Sequence, residues 1–112
     1  MRNDDLVRLR HMIEAAESAI EFTNGRKRSD LDDDRMLLFA VVRAIEIVGE
    51  AANRMSAETR AALPSIPWHA IVGMRNRLIH AYFEVNNQMV WQTTTVEIPA
   101  LLPILRDAAD KA

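Results

Sequence analysis

Apolar residues recur at steps of three and four along most of the chain, which is the spacing of one face of an α-helix. The first of these stretches predicts a helix over about residues 4 to 23. Asn24 and Gly25 follow it directly and are typical of a helix C-terminus. The apolar stripe of this helix consists of Leu6, Leu9, Ile13, Ala16 and Ile20.

A second helix is predicted from the acidic run at residues 29–34 to about Met55. The acids would lie at its N-terminus, where the helix dipole favours negative charge. The apolar surface of this helix is broad and comprises Leu38, Val41, Val42, Ile45, Val48, Gly49 and Ala52. The polar residues keep to a narrow stripe, formed by Arg43, Glu46, Glu50 and Asn53. An apolar surface this wide predicts burial on more than one side, in the core and at a subunit interface.

The third and fourth predicted helices follow closely. A short helix covers residues 57–63, and a long one runs from about Pro67 to Tyr82. Pro67 suits the first turn of a helix, where its missing N–H costs nothing.

The last predicted helix runs from about Asn87 to Ala109, and Pro99 predicts a bend within it. No segment alternates between apolar and polar residues as a half-buried strand does. The pattern therefore predicts one all-α domain over residues 1–112, an up-and-down bundle of four long helices with one additional short helix.

Composition narrows the classes of function. Of the 112 residues, 49% are hydrophobic and 27% are charged, with a net charge of -2, so any nucleic-acid binding must use a local patch. The absence of cysteine excludes disulfides, thiolate zinc sites and cysteine nucleophiles. Neither a signal-peptide core nor an apolar run long enough for a bilayer is found, so we expect a cytoplasmic protein with no membrane partner.

Arg75 stands out because it lies in the middle of an apolar stripe of the helix near Pro67 to Tyr82. Burying a guanidinium without a partner is costly. Arg75 therefore needs a carboxylate, a phosphate-like ligand or a water-filled cleft. The structural alternative is an arginine whose long stem lies along the core, with its head reaching solvent or paired to Glu46 or Glu50.

A second stripe of the same helix carries Gly73, Asn76 and His80. Glycine permits close approach of another backbone, which makes this stripe a candidate subunit contact. His80 has the ordinary pKa of a general acid or base near neutral pH, and Asn76 could orient it. The alternative is that His80 is a structural hydrogen bonder or a helix cap. Arg75 and His80 project about 140° apart, so both serve one substrate atom only if the helix ends near His80 or a second subunit completes the site.

Residues 75–82, RNRLIHAY, read R-x4-H-x-Y and resemble the signature of the HepT-like toxins of the HEPN superfamily. The flanking blocks share the resemblance, at residues 43–51, 66–68, 73–74, 83 and 90–92. The resemblance spans nearly the whole chain.

The resemblance implies a metal-independent endoribonuclease toxin that acts on RNA as a homodimer, with the two motifs facing each other across a cleft. Arg75 and His80 match the catalytic positions, and Asn76 is an accessory position. Tyr82 matches the tyrosine that receives AMP from the cognate antitoxin, a minimal nucleotidyltransferase. No cofactor and no metal are expected.

A second function stays open, a catalytically silent HEPN domain that serves as a binding module or scaffold for a nucleotidyltransferase.

The other signals in the sequence are weaker evidence of function. The acids at residues 30–34 mimic the start of a calcium loop, but its glycine and closing glutamate positions hold Arg35 and Val41. Arg77 is predicted to be a surface residue, and Trp68 and Trp91 are predicted to be core anchors.

Overall fold

The computed structural model describes residues 1–84 and 86–111, with the backbone but not the side chains of residues 79–84. Within these residues the chain is helical and contains no strand. The helices are α1 (Asn3–Thr23), α2 (Asp30–Asp33), α3 (Arg35–Asn53), α4 (Ala57–Ala62), α5 (Trp68–Glu84), α6 (Asn87–Gln92) and α7 (Ile98–Asp110). A π-helical segment, Thr93–Glu97, joins α6 to α7. The predicted all-α bundle of four long helical stretches is confirmed.

The bundle is built around α1 and α3. Helix α1 packs on both α3 and α7, and α5 packs on the other side of α3. The core between them is apolar, and its fully buried members include Leu9, Met12, Ile45, Val48, Ile98 and Leu105. None of the described helices is long and apolar enough to cross a membrane.

The predicted second helix is wrong in one respect, because it is broken at Asp34. This residue has an extended backbone (φ -123°, ψ 97°) and separates α2 from α3. Its carboxylate accepts a hydrogen bond from the backbone N–H of Leu37 at 3.0 Å. Aspartate is a strong N-cap, and capping a new helix here satisfies donors that would otherwise stay free.

The C-terminal stretch is irregular directly before Pro99. Proline offers no N–H to the preceding turn, and the widened π-helical turn at Thr93–Glu97 occupies the place where a bend is predicted. The hydroxyls of Thr94 and Thr95 donate to the carbonyls of Val90 and Trp91 at 2.9 and 2.7 Å. These threonines therefore satisfy carbonyls beside the irregular turn.

Helix α4 is tied to α1 and α3 by polar contacts. Ser56 caps α4 by accepting from the N–H of Thr59 at 3.2 Å. Ser56 and Thr59 also donate to the buried carboxylate of Asp5 in α1. Arg60 donates to the carbonyls of residues 52 and 53 at 2.9 and 3.0 Å, which satisfies the C-terminus of α3. These contacts fix the turn that leads into α5.

Candidate functional site

Helix α5, which carries the R-x4-H-x-Y motif, is anchored at its first residue. Trp68 is 9% exposed, and its indole Nε1 donates to the carbonyl of Leu63 at 3.1 Å. Ile71, Met74 and Leu78 are buried on the face that packs into the bundle. Trp68 is thus a core anchor, as predicted, and the half-buried Trp91 packs against the same core. The anchoring fixes the position of the motif relative to α3.

Arg75 lies at the contact of α5 with α3. It is half-buried, and its aliphatic stem runs against Gly49 of α3. Its Nε is buried and has no hydrogen-bond partner among the described atoms. The stem packing agrees with one alternative from the sequence, an arginine whose stem lies along the core.

The predicted pairing of Arg75 with Glu46 or Glu50 is not formed. Both carboxylates bind Arg43 instead, at 3.2 Å for Glu46 and 3.3 Å for Glu50. The hydrogen bond from Glu46 and the charge of Glu50 raise the pKa of Arg43. No described carboxylate forms an ion pair with Arg75, so the α3 acids do not neutralise its guanidinium.

The two described positions of the second stripe of α5, Gly73 and Asn76, are open. Asn76 is exposed, and a side chain built at Gly73 would meet no atom within 4 Å. The side chains of His80 and Tyr82 lie outside the described residues. The α5 backbone continues as a helix past both positions to Glu84. The helix therefore does not end near His80, which removes one of the two ways in which Arg75 and His80 could serve the same atom.

An apolar cleft of about 430 Å³ adjoins the motif between α3, α5 and α6. Leu78, one turn beyond Arg75, lines it together with Phe39 and Val42 of α3. Phe39 is 51% exposed, and the guanidinium of Arg35 lies 5.5 Å from the centre of its ring, within cation–π distance. Since Gly49 meets Arg75 whereas Phe39 shares the cleft with Leu78, α3 and α5 run in opposite directions.

The remaining basic residues near the motif are held by acids. Arg77 is exposed, as predicted, and pairs with Glu97 at 3.2 Å. Arg28 pairs with Asp32 at 2.8 Å. Hydrogen bonds from Asn87 and Arg28 lower the pKa of the Asp32 carboxyl.

The acids at residues 30–34 have structural roles. Asp30 accepts from the backbone N–H of Lys27 at 2.8 Å, Asp32 accepts from the Asn87 amide at 2.7 Å, and Asp34 caps α3. Among the side chains that the structure describes, those of residues 1–78 and 86–111, no three histidine, aspartate or glutamate groups converge in a way that could hold a metal ion.

The contact of Gly49 with Arg75 is the feature of this site that the sequence reasoning missed. The sequence places Gly49 only on the broad apolar surface of the predicted second helix. The available signal was a glycine in the interior of a helix, which is tolerated there when a packing contact requires it.

Comparison with known proteins identifies the family. The family model described as Ribonuclease HepT-like matches residues 12–108. The chain is 40% identical over 93 residues to a "Probable ribonuclease HepT" of Thermococcus cleftensis, covering 83% of this chain and 84% of that protein. It is 38% identical over 103 residues, 92% of each chain, to a "Putative RNase" of Caldanaerobacter subterraneus subsp. tengcongensis. No solved structure matches the chain. With a family model covering nearly the whole sequence, the chain belongs to the HepT-like ribonuclease family.

Proposed function

We propose that the protein is an endoribonuclease toxin of a toxin–antitoxin pair, which cleaves RNA without a metal ion at a cleft between two identical subunits. Residues 1–112 act as a single HEPN-like domain. Arg75 and His80 are the catalytic residues, and Asn76 and Tyr82 are accessory. The reaction uses no cofactor.

The continuity of α5 is the observation that carries the two-subunit site. The helix extends through Glu84, and on such a helix positions 75 and 80 project about 140° apart. One copy of α5 thus directs them to different sides. A two-fold axis would set Arg75 of one copy beside His80 of the other and create two equivalent sites.

Two open surfaces support this assembly. The space around Gly73 is empty within the subunit. On α3, Met36 is 82% exposed and Phe39 is 51% exposed, an apolar surface that a monomer would leave in water. Gly73 lies in α5, and Met36 and Phe39 lie in α3. These are the two helices for which the sequence predicts a subunit interface.

The proposed chemistry needs only groups that the chain supplies. The ribose 2′-hydroxyl attacks the adjacent phosphorus, the bond from phosphorus to the 5′ oxygen breaks, and a cyclic phosphate forms. His80 takes the proton from the 2′ oxygen and delivers it to the departing 5′ oxygen. Arg75 stabilises the negative charge that grows on the phosphoryl oxygens. Asn76, one turn before His80, orients the imidazole.

Tyr82 is the point of control in this proposal. A minimal nucleotidyltransferase antitoxin would transfer AMP to its phenol oxygen. The added phosphodiester would place a negative charge on the Arg75 side of α5 and repel an RNA phosphate. Tyr82→Phe should retain cleavage and take up no AMP in intact-mass spectra after co-expression with the nucleotidyltransferase. Equal AMP addition to wild type and Tyr82→Phe would contradict this assignment.

Mixing two inactive variants tests the site directly. Arg75→Ala and His80→Ala should each abolish cleavage of RNA in the presence of a chelator. When the two are unfolded together and refolded as a mixture, half of the dimers contain one intact site. The mixture should then recover roughly a quarter of the wild-type activity, as two-fold symmetry requires. No recovery, with heterodimers shown by native mass spectrometry, would contradict a site shared between subunits.

Arg77→Ala is the matched control. It removes an arginine from the same helix, two residues from Arg75, but one that is exposed and paired with Glu97. It should leave cleavage close to wild type. Cleavage by both single variants at the wild-type rate would contradict the ribonuclease assignment of Arg75 and His80.

The second candidate, a catalytically silent binding module, is favoured by the charge distribution. The net charge is -2, and Arg28, Arg43 and Arg77 are all paired with acids. RNA affinity would then have to come from the basic residues that these acids leave free. A purified dimer that cleaves no RNA but forms a stable complex with the nucleotidyltransferase would support this candidate.

A further inference from the structure

Gly49 occupies a position in α3 where glycine is costly. It is buried inside a 19-residue helix, more than one turn from its C-terminus. Glycine in a helix interior is less favourable than alanine by about 1 kcal/mol. A packing constraint at this position is therefore required to explain it.

The constraint is the side chain of Arg75. A Cβ atom added at Gly49 would lie 2.9 Å from Cγ and 3.0 Å from Cδ of Arg75, and it would be closer still to the Arg75 Cβ. Carbon atoms prefer a separation of about 3.5 to 4.0 Å. The Cβ of Arg75 is fixed by its backbone, so rotation of the side chain cannot relieve the overlap. A methyl group at Gly49 must push α5 away from α3.

The contact orients Arg75 by packing and not by charge. The stem lies across the backbone of α3, which holds the guanidinium in place from one side. The buried Nε has no partner within the described part of the chain, and Glu46 and Glu50 are both held by Arg43. A phosphate would therefore not have to displace a carboxylate from Arg75.

We propose that Gly49 is a positioning residue for the ribonuclease reaction, because its missing side chain lets α3 clamp the stem of Arg75 and aim the guanidinium at the scissile phosphate. The inference rests on the proposed catalytic role of Arg75. The site would then use steric fixation of its arginine where many sites use an acidic partner.

The test is Gly49→Ala, measured by two independent readouts. The Nε–H signal of Arg75 in a ¹H–¹⁵N spectrum, assigned by its absence in Arg75→Lys, reports burial of this nitrogen without reference to activity. We expect Gly49→Ala to lose the slow solvent exchange of this signal. Because a displacement of about 1 Å at a catalytic group can cost about 100-fold, we expect kcat to fall by about 100-fold with KM little changed.

Ala44→Val is the matched control. Ala44 is buried in α3 but projects about 140° away from Gly49, so added methyl groups there strain another part of the core. Overpacking should lower stability by about 1 to 3 kcal/mol, yet the Arg75 signal and kcat should persist. Equal loss of kcat in both variants, or a Gly49→Ala protein with unchanged signal and kcat, would overturn the inference.

Two further outcomes are informative. If Gly49→Ala does not fold, the double variant Gly49→Ala/Arg75→Gly should restore folding, since it removes the atoms that overlap. A double variant that stays unfolded would overturn the inference. If wild-type protein and Arg75→Ala cleave RNA equally, the proposed function fails, while loss of Nε–H protection in Gly49→Ala would still support the clamp.

Discussion

Asp5 and Arg75 are two charged side chains with buried polar atoms, and the surroundings of those atoms differ. The Asp5 carboxylate is 0% exposed and accepts hydrogen bonds from the N–H and hydroxyl of Ser56 at 3.2 and 2.6 Å. It also accepts from the Thr59 hydroxyl and, at 3.1 Å, from Arg8. Arg75 has a buried Nε with no partner among the described atoms.

The difference separates a structural charge from one available to a ligand. Four hydrogen bonds satisfy Asp5, so no further partner is needed, and its network holds α4 against α1. The buried Nε of Arg75 has no acceptor among the described atoms, which costs stability. A phosphate would supply the missing acceptor.

Removing the Asp5 carboxylate should have the largest effect on stability. Asp5→Ala leaves the hydroxyls of Ser56 and Thr59 and the guanidinium of Arg8 without their acceptor. Each buried donor left without its acceptor costs about 1 to 3 kcal/mol. Urea unfolding followed by circular dichroism should show this loss, and a change below 1 kcal/mol would show that water replaces the carboxylate.

The same network predicts acid sensitivity. Hydrogen bonds from Ser56 and Thr59 hold the pKa of Asp5 well below its ordinary value of about 3.9. The native state therefore binds this proton less readily than the unfolded state. The contribution of Asp5 to the free energy of unfolding is complete above pH 4 or so, and it declines as the pH falls below that value. Asp5→Asn should unfold with a flatter dependence on pH between about 2 and 5; identical slopes would contradict the assignment.

The variant Arg75→Met tests the stability contribution of Arg75, the second residue of this comparison. Methionine keeps Cβ and Cγ against Gly49 but removes the unpartnered nitrogen. Replacing an unsatisfied buried donor by an apolar group is near neutral or stabilising, so we expect the free energy of unfolding to rise by up to about 1 kcal/mol. Cleavage should be lost in the same variant. A loss of more than 2 kcal/mol, beyond the size of a neutral hydrogen bond, would show that Arg75 is a structural residue.

The sequence predicts more of this site than of the Asp5 network for a physical reason. The position of Arg75 on α5 follows from helical periodicity, which is local, and its conflict with an apolar stripe is visible in a window of 15 residues. Asp5 bonds to residues 51 and 54 positions away. In the sequence it reads as an ordinary acid in the first turn of a helix, because nothing local reveals distant partners.

The break at Asp34 and the Gly49 contact were missed for related reasons. Periodicity continues across residues 30–55, so it gives no sign that one aspartate in the acidic run leaves the helix to cap the next. The approach of α3 to α5 at Gly49 depends on how two helices cross. Side-chain periodicity predicts which faces meet but not which residues touch.

The smallest expected effect on the free energy of unfolding is that of Arg77, an exposed arginine two residues after Arg75 in α5. Its side chain is 55% exposed and that of Glu97 is 46% exposed. An exposed ion pair contributes about 0 to 1 kcal/mol, because water and salt screen it and two flexible side chains must be ordered. Arg77→Ala and Glu97→Ala should each change the free energy of unfolding by less than about 0.5 kcal/mol, and the change in the double variant should equal the sum of the two.

A coupling energy above about 1 kcal/mol in this double-mutant cycle would mean that the pair is desolvated, as it would be at a subunit interface. The cycle should therefore be measured at two protein concentrations, since coupling that appears only at the higher one would place Arg77 in the dimer contact.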